Sequence, residues 1–162
     1  MVSFACGTHG EHNSDPSADD PEESTYRPSG EVILELGIFQ EQRYRPIKEG
    51  DALPIIYGLQ GGTWVMPAVR ARGIELDVHL RAQLETSSGE MVGTVSADTR
   101  FVVASDGWVE IAALPIPVQH EPPNEFESIN DLYGEVATLQ IEIEDKSGRS
   151  SGVSRQLVLT MR

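Results

Sequence analysis

From Glu31 onward, apolar and polar side chains alternate with a period of two. In Ile74-Glu75-Leu76-Asp77-Val78-His79-Leu80-Arg81-Ala82-Gln83-Leu84 every second residue is apolar, and the residues between are charged or polar. Successive side chains of a strand point to opposite faces, so such a run presents one dry face and one wet face, as an antiparallel strand of a sandwich does. Residues 137–144 repeat the pattern. Residues 154–161 continue it with Leu157, Leu159 and Met161 inward, and near the start Val32, Leu34, Leu36 and Ile38 alternate with an outward Glu35. Weaker strand signals cover 53–57, 63–72, 92–104 and 108–114. Turn chemistry separates them at Glu49-Gly50-Asp51, Gly61-Gly62, Ser87-Ser88-Gly89, Ser105-Asp106-Gly107 and Lys146-Ser147-Gly148. No stretch carries a 3.6-residue apolar stripe, and the best helical prospect is a turn within 124–132.

Seven to eight short strands with frequent turn signals predict an all-β fold, an antiparallel β-sandwich. The run Tyr133-Gly134-Glu135-Val136-Ala137-Thr138-Leu139-Gln140-Ile141-Glu142-Ile143-Glu144-Asp145-Lys146-Ser147-Gly148-Arg149, followed by 154–161, resembles the closing hairpin of an immunoglobulin-like domain of the kind found in bacterial surface proteins. The resemblance covers 31–162 as architecture. It implies that Tyr133 takes the tyrosine-corner position and that Trp64 is the core tryptophan. The inter-sheet cysteine pair is missing, and Asp131 stands two residues before Tyr133. A narrower segment, Gly58-Leu59-Gln60-Gly61-Gly62-Thr63-Trp64, resembles a Gln-Gly-Gly stretch of predicted lipoproteins of myxobacteria and their relatives, whose function is unassigned.

Residues 1–30 read as a separate region. Ser14-Asp15-Pro16-Ser17-Ala18-Asp19-Asp20-Pro21-Glu22-Glu23-Ser24 has no large apolar side chain. Such a segment buries too little surface to offset roughly 1–2 kcal/mol of backbone entropy per residue, which predicts a disordered acidic tether. The opening Val2-Ser3-Phe4-Ala5-Cys6-Gly7 resembles the end of a bacterial lipoprotein signal peptide, with Ala5 and Cys6 matching and Ser3 and Phe4 departing from the usual residues. The resemblance implies a signal-peptide remnant, lipidation at Cys6, and an extracytoplasmic place in the periplasm or on the outer-membrane surface, with membrane contact only through that lipid anchor.

The 162 residues include 26 acidic and 12 basic side chains, a formal charge of −14. Phosphate backbones are repelled by that balance, which argues against nucleic-acid binding. A single cysteine makes no internal disulfide, and the length suffices for one core without such staples.

Candidate chemistry is sparse. Cys6, His9 and His12 fall within seven residues and have soft-metal ligand character. The acidic stretch holding Asn124, Glu125, Glu127 and Asp131 offers hard oxygens for calcium, without EF-hand spacing. Gly58, Gly61 and Gly62 read as turn glycines and not as a phosphate loop, because no helix start and no Lys-Ser/Thr pair follows. Glu75, Asp77, His79 and Arg81 line one wet strand face. Trp64 and Trp108 are the candidate ligand platform, which Tyr57 and Tyr44 join if the fold assembles them. An enzyme would need Asp98, Asp106, His79 or Glu110 to converge, and no nucleophile motif accompanies them. The expected function is therefore non-catalytic. It is a sandwich making protein–protein or surface-assembly contacts without a cofactor, with a module for calcium, a soft metal or carbohydrate as the alternative.

Overall fold

A computed structural model describes residues 25–58, 61–119 and 129–161. Twelve strands among them form two sheets. The first contains β1 (Ile33–Gln40), β2 (Arg43–Pro46), β5 (Ala68–Arg72), β8 (Val102–Val103) and β9 (Val109–Ile111), in the order β2-β1-β5-β9-β8. The second contains β3 (Ala52–Tyr57), β4 (Thr63–Val65), β6 (Asp77–Thr86), β7 (Met91–Arg100), β10 (Ile116–Pro117), β11 (Val136–Asp145) and β12 (Ser150–Met161), in the order β10-β4-β3-β12-β11-β6-β7. All pairings are antiparallel except β3 with β12.

The chain is an all-β sandwich, and its connectivity follows from treating β1, β5, β6, β7, β8, β9, β11 and β12 as successive strands A, B, C, C′, D, E, F and G. The first sheet then runs A-B-E-D and the second G-F-C-C′, the immunoglobulin arrangement with an added C′ strand. Strands β2 to β4 are inserted between A and B, and β10 between E and F. These insertions, with the break of two expected strands, raise the strand number above the seven to eight read from the sequence. The signal at 63–72 breaks at Met66-Pro67, sending β4 to one sheet and β5 to the other; that at 92–104 breaks at Phe101, whose buried side chain marks the crossing.

The alternation read from the sequence decides what is inside. Leu80, Ala82 and Leu84 of β6 and Leu139, Ile141 and Ile143 of β11 are almost fully buried, as are Leu157 and Leu159 of β12. They meet Leu34 and Leu36 of β1, Val69 and Ala71 of β5 and Val109 of β9 in one core. Packed apolar side chains of this kind each contribute about 1.5–3 kcal/mol.

The positions that the immunoglobulin likeness assigned are filled differently. Trp64 is no core tryptophan. It lies half-exposed on β4 over the glycine loop, where a Cβ on Gly58 or Gly62 would overlap its ring, while Leu80 and Ala82 fill the middle of β6. Tyr133 does precede β11, but its hydroxyl donates to Tyr57 Oη on β3 at 2.7 Å and not to the backbone of its own corner. The hydrogen bonds Gly58 N to Gly62 O (3.0 Å) and Gly61 N to Gly58 O (3.1 Å) bear out the turn reading of this loop. Ile129 to Gly134 form a helical turn, while residues 124–128 of that expectation lie outside the described residues. On the tether side of the expected boundary, Tyr26 packs against the core and its hydroxyl donates to Ile74 O at 3.0 Å.

Candidate functional site

The polar outer face of β6 and β7 carries the densest arrangement of chemistry. Both strands leave the turn at Thr86–Glu90, and their register sets His79 opposite Asp98 and Arg81 opposite Ser96. Side chains two apart share a face, so His79, Ser96 and Asp98 project to the same side. His79 Nδ1 lies 2.9 Å from Asp98 Oδ1, and His79 Nε2 lies 3.0 Å from Ser96 Oγ. Asp77 and Arg100 make a two-oxygen ion pair at 2.8 and 2.9 Å one step along.

The chain Ser96–His79–Asp98 has the connectivity of a hydrolytic triad, yet its surroundings differ from those that make one effective. The Asp98 side chain is 94% exposed and that of His79 40% exposed, so bulk water screens the interactions that a buried aspartate would concentrate. Two depressions open to solvent adjoin the group: His79 lines both, Arg81 and Glu142 the first, and Asp77, Asp98 and Arg100 the second. The arrangement orients a set of charges on a solvent-open surface.

Of the four wet-face residues read from the sequence, Asp77, His79 and Arg81 stay on β6, whereas Glu75 precedes the strand and joins another cluster. There Arg149 lies 3.8 Å from Glu75 and 2.9 Å from Asp145, and the backbone N–H of Glu75 donates to Asp145 at 3.1 Å. Burial alone would raise the Asp145 carboxyl. The backbone donors of Glu75, Arg149 and Ser147, with the Arg149 charge, outweigh it and hold the group below its ordinary value. This cluster closes the β11–β12 turn and is structural.

A second polar–aromatic array covers the outer face of the first sheet. The Arg70 guanidinium carbon lies 4.4 Å from the Tyr44 ring centre and 4.1 Å from that of Trp108; Arg72 lies 3.9 Å from Trp108. Glu35 pairs with Arg70 at 2.9 Å. Gly37 makes the stack geometrically feasible, since any Cβ there would strike the Tyr44 ring and Arg45 O. Tyr44 Oη and Arg72 Nε are buried without hydrogen-bond partners among the described residues. Burial, with Glu35 nearby, pushes the Tyr44 phenol upward, and burial followed by the bond to Tyr57 pushes Tyr133 up to about 12.

Of the expected platform, Trp108 meets Tyr44 through Arg70, whereas Trp64 and Tyr57 stand on the other sheet. Of the four enzyme candidates, only His79 and Asp98 come together. Glu110 sits beside Arg70 in the first sheet, and Asp106 is in an exposed turn. Cys6, His9, His12, Asn124, Glu125 and Glu127 lie outside the described residues, and Asp131 is exposed. Among the described residues no group of three or more His, Cys, Asp or Glu is placed to hold a metal, and no helix is long and apolar enough to cross a membrane. Ser96 was not read from the sequence, although counting equally back from the Ser87-Ser88-Gly89 turn brings it to the His79 neighbourhood.

No protein-family model matches the chain, and no curated protein matches it either.

Proposed function

We propose that this chain is a non-catalytic, extracytoplasmic β-sandwich that makes protein–protein or surface-assembly contacts through an open sheet edge. The observation that carries this is the outer edge of β7. Among the described residues, that edge touches other backbone only near its start, where Gly93 bridges Val118, and Ser96 to Thr99 have no strand beside them. Open backbone N–H and C=O groups are a template for an added strand, and natural sheets usually blunt such edges with lysine, proline or a bulge. Residues 96–99 have no lysine, proline or bulge, the one register irregularity of β7 lying opposite Leu84 and Glu85; their one charge is Asp98, which would select a partner strand with a basic residue opposite it. The lipid anchor and the location rest on the Ala5-Cys6 resemblance alone.

The test is a photo-crosslinking amino acid in place of Ser96, compared with one in place of Glu41, in the full chain in its native cells. Protein adducts at position 96 and none at 41 are expected. An absence of adducts at 96 would overturn the edge-contact role.

The second reading, a ligand-binding module for calcium, a soft metal or carbohydrate, is favoured by the Tyr44–Arg70–Trp108–Arg72 array. Trp108 is only 9% exposed, with Arg70 and Arg72 over its ring, so the array offers a ligand the part-exposed Tyr44 ring and the two guanidiniums, donors that suit a sugar better than a metal. A glycan array giving signal that Trp108→Ala abolishes would establish it, and an array without signal would remove the sugar.

A further inference from the structure

We infer that the strand filling the open edge of β7 is a short amphipathic segment of another protein, with one arginine or lysine opposite Asp98, an apolar side chain opposite Ala97 and a small polar one opposite Ser96. This inference rests on the edge-contact role proposed above and names the chemistry of its partner.

Backbone direction fixes which groups such a segment reaches. Gln119 N donates to Val92 O at 2.8 Å, so residue 92 turns its backbone away from β6. Phe101 N donates to Leu76 O at 2.9 Å, so residue 101 turns toward the segment before β6. Direction alternates along a strand, which leaves Ser96 and Asp98 with outward N–H and C=O groups, while Val95, Ala97 and Thr99 face β6. A ladder built on Ser96 and Asp98 alone is short and weak, so side chains decide what adds to it.

Those side chains differ between the two faces. On the outer face Asp98 gives one oxygen to His79 Nδ1 at 2.9 Å, yet its side chain stays 94% exposed, so the carboxylate is oriented and still open to a second partner. Behind it in the same row, His79 stands opposite Glu144 of β11. A cation placed opposite Asp98 therefore meets a pre-positioned carboxylate with a further one beyond it. The neighbouring row selects differently. Ser96 lies opposite Arg81, so a second basic residue there would approach a like charge, and a small polar side chain fits. On the inner face Val95 packs against the core, and Ala97, on the same side of the strand, is exposed. An apolar residue opposite Ala97 extends that dry face over surface that β7 leaves in water. The whole molecule biases the same choice, because a chain of net charge −14 attracts basic segments and repels acidic ones.

Selection from a random-peptide phage library on the immobilised full chain, at physiological ionic strength, tests this. Peptides with the polar–apolar–basic alternation, read in either direction, are expected to be enriched, and their binding to weaken as salt is raised. Asp98→Lys is expected to bind those peptides roughly tenfold more weakly or worse, and to select an acidic residue in place of the basic one. Asp98→Asn, which keeps the shape, is expected to lose the basic preference without gaining an acidic one. Ser96→Pro removes an outward N–H without touching the bonds to β6, and is expected to abolish the enrichment. Circular dichroism identical to wild type excludes misfolding as the cause. No enrichment, enrichment without a basic residue, or an Asp98→Lys selection that still favours basic peptides would each overturn the inference. Uncharged peptides whose enrichment Ser96→Pro abolishes, or a Ser96 adduct in native cells whose linked segment is acidic, remove the basic partner and leave the edge-contact role standing. Neither peptide nor adduct removes both.

Discussion

Asp145 is a side chain with no solvent exposure that nonetheless carries charge. Its two oxygens accept backbone N–H groups of Glu75 (3.1 Å), Ser147 (2.9 Å) and Arg149 (3.0 Å), and they pair with the Arg149 guanidinium. Removing a buried carboxylate with that many partners leaves an unpaired cation and several orphan donors, so Asp145→Ala is expected to cost about 3 kcal/mol in urea denaturation at neutral pH. Because the folded carboxyl sits below its ordinary 3.8, its stabilisation is present above that value and is lost as pH falls through the lower folded value. The wild-type advantage over Asp145→Ala should therefore shrink in acid. A gap that stays constant or widens below pH 3.8 would contradict this. His79 gives the opposite case, an exposed group whose partners orient it without burying it. His79→Ala is expected to leave p-nitrophenyl acetate hydrolysis at the background rate of the wild type. A hundredfold loss, about 2.7 kcal/mol of transition-state stabilisation, would instead make Ser96–His79–Asp98 catalytic.

At the scale of elements, β6 and β11 could be read directly from the sequence because one face of each meets the core and the other meets water; in β12 Leu157 and Leu159 are buried as expected, whereas Met161, expected inward, is exposed at the strand's end. Strand β2 could not, since Arg43-Tyr44-Arg45-Pro46 lies on an edge and half-buries only Tyr44, which leaves no alternation. Nor could β10, which is two residues long. Alternation reports which face is dry and says nothing about which sheet a strand enters, so the divisions at Met66-Pro67 and Phe101 needed the three-dimensional structure. The β3–β4 loop shows a local requirement of a different kind. Gly62 has φ of +95°, and a Cβ there would overlap Trp64. Gly62→Ala is expected to destabilise the fold by about 1–3 kcal/mol and to shift the tryptophan fluorescence as the indole is displaced. Unchanged stability with unchanged emission would show that the loop does not seat Trp64.

For the whole molecule, sandwich architecture followed from periodicity, and the A-B-E-D and G-F-C-C′ order emerged only from pairing. The candidate site has the same history. His79 was visible as a polar residue within an apolar alternation, whereas Asp98 and Ser96 became its partners through a register that spacing along a single strand does not reveal. Tyr26 shows a limit of composition, because this one aromatic in a polar sequence packs against the core and bonds Ile74 O. The central claim is that β7 presents an open edge over Ser96–Thr99 that a partner strand fills. Residue-resolved amide hydrogen exchange tests this most directly, with the full chain alone and after photo-crosslinking through position 96 in its native cells. The amides of Val95, Ala97 and Thr99 should exchange slowly in both. Those of Ser96 and Asp98 should exchange fast in the chain alone and slowly in the adduct. Ser96 and Asp98 amides that are already protected in the chain alone, or that exchange equally fast in the adduct, would contradict it.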